Sequence, residues 1–327
     1  MKILSLFDGI SCAKVALENS KHIVERYYAS EIDKYAIQIS EKNFKDVIHI
    51  GDVKMVAHKD APIHYKLNDI DLLIGGSPCQ DLSISKKNRK GLDGERSGLF
   101  WEYVRILKEV KPKYFILENV ASMSKESKRI ITETLGVEPI MINASLVSAQ
   151  NRKRFFWTNI PNITLPEDRK IYLKDILETG IKGEFEFNAC SFRGRNIVDG
   201  KRKDMLGAKT EQRLEIGGDK ANTITSVYKD SMVRIGKIGN GGQGERIYSV
   251  QGKSVALSAL GGGRGAKTGL YETENEIIRK LTPIECERLQ GLSDNYTAGV
   301  SNSQRYKMLG NAFNTEVIGH ILTFIPR

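Results

Sequence analysis

The run Asp71-Leu72-Leu73-Ile74-Gly75-Gly76-Ser77-Pro78-Cys79-Gln80 constrains the fold more than any other stretch of the chain. Its apolar part is short and stops at two glycines, the pattern of a buried strand whose carboxyl end opens into a loop. Open α/β sheets hold their ligands at such strand ends. Pro78 fixes its own φ and biases Ser77 toward an extended backbone, so the Cys79 thiol is carried by a stiff segment, as suits a nucleophile. A lone cysteine is more often packing material. A second strand pattern argues otherwise here, because Tyr114-Phe115-Ile116-Leu117 ends in Glu118-Asn119-Val120 and brings a carboxyl group to the same kind of position. Beside a strand-end thiol, Glu118 becomes a candidate proton donor.

The chain begins with another strand pattern over residues 2–7, followed by the turn Asp8-Gly9-Ile10-Ser11-Cys12 and a helix through Ala13, Val15, Ala16 and Leu17, for which Ser11 is the expected N-cap. Tyr27-Tyr28-Ala29-Ser30 then leads into Glu31-Ile32-Asp33, which puts carboxylates at the end of a second strand, where ribose hydroxyls are held. The turn after the first of these strands has no G-x-G-x-x-G, so a phosphate cradle for a nicotinamide dinucleotide is disfavoured there. An adenosine ligand with an amino-acid tail would not need one. The expected fold class is α/β, a doubly wound sheet.

Beyond Cys79, residues 86–98 are polar, basic and punctuated by Gly91, Gly94 and Gly98, a pattern that reads as a lid over a phosphate backbone. A helix from Leu99 through Leu107 leads into the Glu118 strand. In Gln150-Asn151-Arg152-Lys153-Arg154 the two arginines share one side if the following strand already begins there. Guanidinium groups placed together suit a ring carbonyl or a carboxylate. Tyr172 to Glu178 reads as a helix closing the first unit.

From 186 to 281 the composition shifts to Gly, Lys and Arg, with glycine clusters at 239–244 and 261–265 beside strand-like runs at 247–250 and 255–258. Glycine loops let a backbone approach another molecule closely, and Arg246 and Gln243 have the chemistry to read base edges. Thr282-Pro283-Ile284-Glu285 is an N-cap, a first-turn proline and a capping-box acid, so a helix starts there. Another apolar helix runs through Val317, Ile318 and Ile321.

With 50 Lys+Arg against 40 Asp+Glu the formal charge is +10, a surplus that favours a polyanionic partner. The cysteines at 12, 79, 190 and 286 and the five histidines fit neither a zinc pattern nor a disulfide framework. A reduced compartment and no metal are expected. No apolar run approaches membrane-spanning length, and the N-terminal apolar stretch is too short for a signal peptide.

Taken together, Pro78-Cys79-Gln80, Glu118-Asn119-Val120, Phe7-Asp8-Gly9-Ile10, Gln150-Asn151-Arg152-Lys153-Arg154 and Gly310-Asn311 stand in the order of the motifs of the cytosine-5 DNA methyltransferases, which the chain resembles from Phe7 to Asn311. That resemblance implies a Rossmann-like S-adenosylmethionine-dependent methyltransferase domain with a small, mainly β target-recognition domain. The implied division is residues 1–185 plus 305–327 as catalytic domain, 186–281 as recognition domain and 282–304 as hinge. It implies catalysis by Cys79, Glu118, Arg152 and Arg154. Cofactor contacts are implied for Phe7, Asp8, Gly9, Ile10, Glu31, Ile32, Asp52, Val53, Pro78, Leu99 and Asn311. DNA contacts are implied for Ser85, Lys86, Lys87, Arg89, Gln243, Arg246 and Gly263, with Ser85 and Gln243 filling the space left by a flipped cytosine.

The partner so implied is double-stranded DNA carrying a short GC-containing site. A monomer in a bacterial cytoplasm, encoded by the cell or a phage and accompanied by a cognate restriction endonuclease, completes the expectation. Two features depart from the bacterial pattern: Ser77 stands where phenylalanine is common, and Ser148-Ala149-Gln150 with Phe155-Phe156-Trp157 is similar to the animal de novo enzymes. Two rival readings remain at this level, a transfer-RNA cytosine-5 methyltransferase with the same catalytic residues and an inactive DNA-binding regulator. The long glycine-rich segment argues against the first, and the intact Cys79, Glu118 and Arg154 against the second.

Overall fold

A computed structural model describes residues 1–57, 67, 69–77, 99–181, 185–186, 191–198, 201–202, 210–215, 234–237, 246–259, 268–273 and 277–326. Short apolar runs become the strands β1 (Lys2–Leu6), β2 (Arg26–Ser30), β3 (Val47–His49), β4 (Leu72–Gly75), β5 (Tyr114–Val120), β6 (Ile140–Asn143) and β7 (Lys153–Thr158). They form one sheet in the order β3-β2-β1-β4-β5-β7-β6. The strands from β3 to β5 run parallel, and β7 is antiparallel to both of its neighbours. β1, β4 and the first half of β5 are buried with no polar alternation, as a sheet covered on both faces requires.

Helices supply both covers. On one face lie α1 (Cys12–Asn19), α2 (Lys34–Asn43) and, from the far end of the chain, α7 (Thr315–Leu322), which share one apolar core. On the other lie α3 (Leu99–Val110) and α4 (Lys125–Leu135), with Phe100, Tyr103, Ile106 and Ile131 packed against Leu73, Leu117 and Trp157. The chain order reverses beside β1, which pairs with β2 on one edge and β4 on the other. Leu6 is level with both Ser30 and Gly75, so the loops after β1, β2 and β4 open side by side at the switch point of the sheet.

Several local expectations change. Ser11 occupies the N-cap position of α1 but adopts the left-handed conformation (φ 60°) and makes no cap bond. Its hydroxyl donates to Asp8 Oδ2 at 2.6 Å, a stronger charge-assisted partner than an amide. The expected helix at Tyr172–Glu178 is a single 3₁₀ turn, Leu173–Ile176. Leu177 is extended, and the Glu178 amide, which a continuing helix would give to Lys174, donates to Glu285 Oε1 at 2.9 Å. The helix expected to end at Leu107 runs on to Val110.

Two further sheets lie where a small β unit was expected. One pairs β9 (Ser191–Val198) with β10 (Lys201–Arg202) and β11 (Thr210–Glu215). The other has the order β12-β13-β14-β15-β8, built from β8 (Phe185–Glu186), β12 (Arg234–Lys237), β13 (Arg246–Ser249), β14 (Leu270–Glu272) and β15 (Ile277–Arg279). Phe185, expected in the first unit, therefore pairs in the second sheet. Residues 255–258 form no ladder among the described residues. The chain is held just before them, where Ser254 bridges Gln150 and exchanges backbone bonds with Ala149 and Asn151.

Residues 282–304 do more than link two units. α5 (Pro283–Leu289) carries the expected capping box between Thr282 and Glu285, and Cys286, Leu289, Leu292 and Tyr296 enter the same core as α1 and α7. Glu285 also receives both guanidinium arms of Arg279 at 2.7 Å in a fully buried pair. Then α6 (Asn302–Asn311) leads back to the first sheet. Gly310 explains how closely it can approach. A Cβ there would stand 2.6 Å from the Ser258 carbonyl carbon and 2.8 Å from Ala259 Cα, both backbone atoms that cannot swing aside. Gly310→Ala is expected to lower stability by about 1–3 kcal/mol despite the better helix propensity of alanine, read by urea unfolding. Unchanged stability would show that these two segments do not touch. Among the described residues no helix is long and apolar enough to cross a membrane.

Candidate active site

The register of β5 against β7 brings the site together. Glu118 is opposite Phe156 and Val120 is opposite Arg154, so Glu118 and Arg154 are diagonal neighbours on one face of the sheet. The Arg154 Nε donates to Glu118 Oε1 at 2.8 Å, with both side chains mostly buried. Glu118 Oε2 lies 3.2 Å from where a Cβ on Gly76 would be. The absence of that Cβ therefore lets the carboxylate sit against the strand end that leads to Cys79. The neighbouring Asn119 turns to the other side, and its Nδ2 donates to the Ser77 hydroxyl at 3.1 Å and to the Ser77 carbonyl at 3.3 Å. A clasp between β5 and the residue before Pro78 thus sets where the loop departs. Pro78 and Cys79 themselves lie outside the described residues, as do Ser85, Lys86, Lys87, Arg89, Gln243, Gly263 and the glycine clusters. Arg246 opens β13 and is half-buried.

Both arginines border a cleft lined by Glu118, Arg152, Arg154, Phe156, Phe313 and Asn314. They do not do so as paired strand residues. β7 begins at Lys153, and Arg152 lies before it, buried, with Nη1 donating to the Gly310 carbonyl at 3.3 Å and Nη2 to that of Ala312 at 2.9 Å. Arg154 has the carboxylate; Arg152 has the returning chain.

The second half of the site lies at the carboxyl ends of β1, β2 and β4, the switch point where such sheets hold ligands. Phe7, Gly9 and Ser11 all have positive φ, which makes the turn after β1 tight. Asp8 is buried beneath it, taking the Tyr27 hydroxyl on Oδ1 and the Ser11 hydroxyl on Oδ2, each at 2.6 Å. Burial raises its pKa above the ordinary carboxylate value, partly offset by those hydrogen bonds. The Asp8 carboxylate is thus spent on holding the turn. Ile10 is buried too, and its carbonyl accepts the Tyr296 hydroxyl at 2.7 Å. Tyr27, Ser40 and Tyr296 support this turn from three distant stretches, and no local motif marks them.

Glu31 is different. Half-exposed at the end of β2, it accepts the Gly9 amide on Oε2 and the Ile32 and Asp33 amides on Oε1, all at 2.8 Å. Ile32 beside it is 71% exposed, a large apolar side chain in open solvent next to a fixed carboxylate. Asp52 is exposed after β3 and caps a short 3₁₀ turn in which Val53 is buried. Leu99 opens α3 and is half-buried. Asn311 is exposed at the last turn of α6. Carboxylates at these strand ends, an exposed apolar side chain and a first turn without G-x-G-x-x-G suit a neutral nucleoside carrying a cationic tail better than a dinucleotide.

Comparison with known proteins agrees with this geometry. The profile of the C-5 cytosine-specific DNA methylases matches residues 1–327. Type II methyltransferase M.HhaI of Haemophilus parahaemolyticus is 33% identical over 98% of this chain and 93% of its own length. Orphan methyltransferase M.SPRI of Bacillus phage SPR is 26% identical over 98% and 96%. Among solved structures, the Dnmt2 methyltransferase of S. pombe superposes over 99% of this chain and 97% of its own with a TM-score of 0.61, at 15% identity, a likeness of fold. Matched by that profile along its whole length and by a type II enzyme at one residue in three, the chain belongs to the C-5 cytosine-specific DNA methylase family and is a DNA (cytosine-5) methyltransferase.

Proposed function

We propose that Cys79, Glu118 and Arg154 perform the transfer on a cytosine swung out of a DNA duplex, with S-adenosylmethionine as methyl donor. The observation that carries this reading is the Glu118–Arg154 pair lying against Gly76, where β4 hands the chain to the Cys79 loop. Carbon 5 of cytosine is a weak nucleophile. A thiolate added at carbon 6 turns the ring into an enamine that can attack a methyl group, and loss of the carbon-5 proton then expels the thiolate. Glu118 holds the ring nitrogen and stabilises its protonation, while Arg154 pairs with the exocyclic oxygen and, through its bond to Glu118, keeps that carboxylate aimed.

The donor supplies an electrophilic methyl group on a sulfonium. In this reading Glu31 holds its ribose hydroxyls, Ile32 packs on its adenine, and Phe7, Gly9, Asp52, Val53, Leu99 and Asn311 enclose it. Asp8 and Ile10 act by shaping the turn. Because a base inside the helix is out of reach, flipping costs a few kcal/mol of stacking and pairing. The basic segment 86–98 and the Gln243 loop would offset that cost on the DNA side, Ser85 and Gln243 filling the vacated space and Arg246 and Gly263 meeting the major groove.

The domain division set out above, a monomeric state, a cytoplasmic setting and a cognate endonuclease belong to the same proposal. Bisulfite sequencing of plasmid DNA from cells producing the chain tests it, with every cytosine at one short GC-containing motif expected to resist conversion. Scattered protection without a common motif overturns the selective reading. Incorporation of labelled methyl into transfer RNA in preference to duplex DNA overturns the duplex substrate.

A further inference from the structure

Four parts of the molecule meet at residues 310–313. Gly310 lies against the Ser258–Ala259 backbone at a distance that leaves no room for a side chain. Asn311 ends α6 in solvent, and one turn earlier Lys307 ties that helix to Asp33 after β2 at 2.6 Å. The Phe313 ring is 2.9 Å from where a Cβ on Gly76 would be, and it lines the Glu118 cleft. Arg152 spans the segment from behind, one guanidinium arm on the carbonyl before Asn311 and the other on the carbonyl after it. Carbonyls in a last helical turn lack intrahelical partners, and a cation there is favoured. The rigid fork of an arginine can hold two of them at once, which the single ammonium of a lysine cannot.

We propose that Arg152 is a positioning residue that acts through the returning chain, whereas its neighbour Arg154 meets the base. By fixing Gly310–Phe313, it holds Asn311 toward the cofactor and Phe313 against Gly76 after β4. β7 carries Arg154 two residues on, so one side chain ties the enclosure of the methyl donor to the base cleft. This inference rests on the S-adenosylmethionine reading for every readout except hydrogen exchange.

Arg152→Lys is the decisive variant, being the most conservative in size and charge, and Arg152→Gln extends the series. The expected results in Arg152→Lys are at least about tenfold weaker binding of S-adenosylhomocysteine without DNA, and faster amide hydrogen exchange at residues 309–314. At saturating cofactor, adduct formation with 5-fluorocytosine DNA should stay within about threefold of the parent, and KM for the donor should rise more than kcat falls. Unchanged exchange at 309–314, or an adduct rate that collapses while the exchange pattern is preserved, overturns the proposal and returns Arg152 to the base. Failure of the parent protein to bind S-adenosylhomocysteine would sink the cofactor assignment and leave the exchange readout to decide.

Discussion

Cys79→Ser is expected to lower methyl transfer by more than about 10⁴-fold while leaving duplex binding in place, since removing a covalent nucleophile forfeits the whole addition route. A serine hydroxyl is close in size but ionises far less readily than a thiol and is a harder, poorer nucleophile toward a conjugated ring carbon. What the fold contributes is placement. β4 ends at Gly75 at the switch point, the Asn119 amide clasps Ser77, and Glu118 rests over Gly76, so the acid lies against the backbone three residues before Cys79. Three measurements separate the outcomes: labelled methyl incorporation, a gel shift with duplex DNA, and the covalent adduct with 5-fluorocytosine DNA. A serine variant that still forms the adduct or turns over at the parent rate would remove Cys79 from the chemistry.

Glu118→Gln comes next in size, with single-turnover methylation expected to fall about 10²–10³-fold, the range for a general acid. The substitution keeps an oxygen to accept from the Arg154 guanidinium and changes no volume, so stability should drop by only about 1 kcal/mol. The split between those two numbers is the informative result. A fall in turnover with a nearly unmoved thermal transition assigns Glu118 to the reaction, whereas parallel losses of both would make it a strut for Arg154. Arg154→Ala in the same background shows whether the pair acts as a unit: if the guanidinium serves mainly to aim the carboxylate, the second substitution adds little to the first.

The strand-end positions of Glu118 and Glu31 and the tight turn after β1 were all legible without coordinates, because each depends on a run of fewer than about ten residues whose hydrophobic pattern and breakers are local. The capping box at Thr282–Glu285 was legible for the same reason. Ser11 takes the expected N-cap position without the cap bond, because a polar residue beside a helix start has two possible partners. The nearer-charged one, Asp8, is placed by the turn itself. The helix expected at 172–178 stops after one turn because the Glu178 amide goes to Glu285 and the Ile176 carbonyl to Arg288, a competition that no window along the chain contains.

The arginine pair shows the division most clearly. Spacing alone grouped Arg152 with Arg154, and the structure sends one to a carboxylate and the other to two carbonyls more than 150 residues away in sequence. Order along the chain determined which chemical groups this protein owns and at which strand ends they stand, since those follow from backbone periodicity and from where glycine and proline interrupt it. Which groups touch was decided only when α6 and α7 returned to the first sheet, for a contact between distant segments depends on the packing of everything in between.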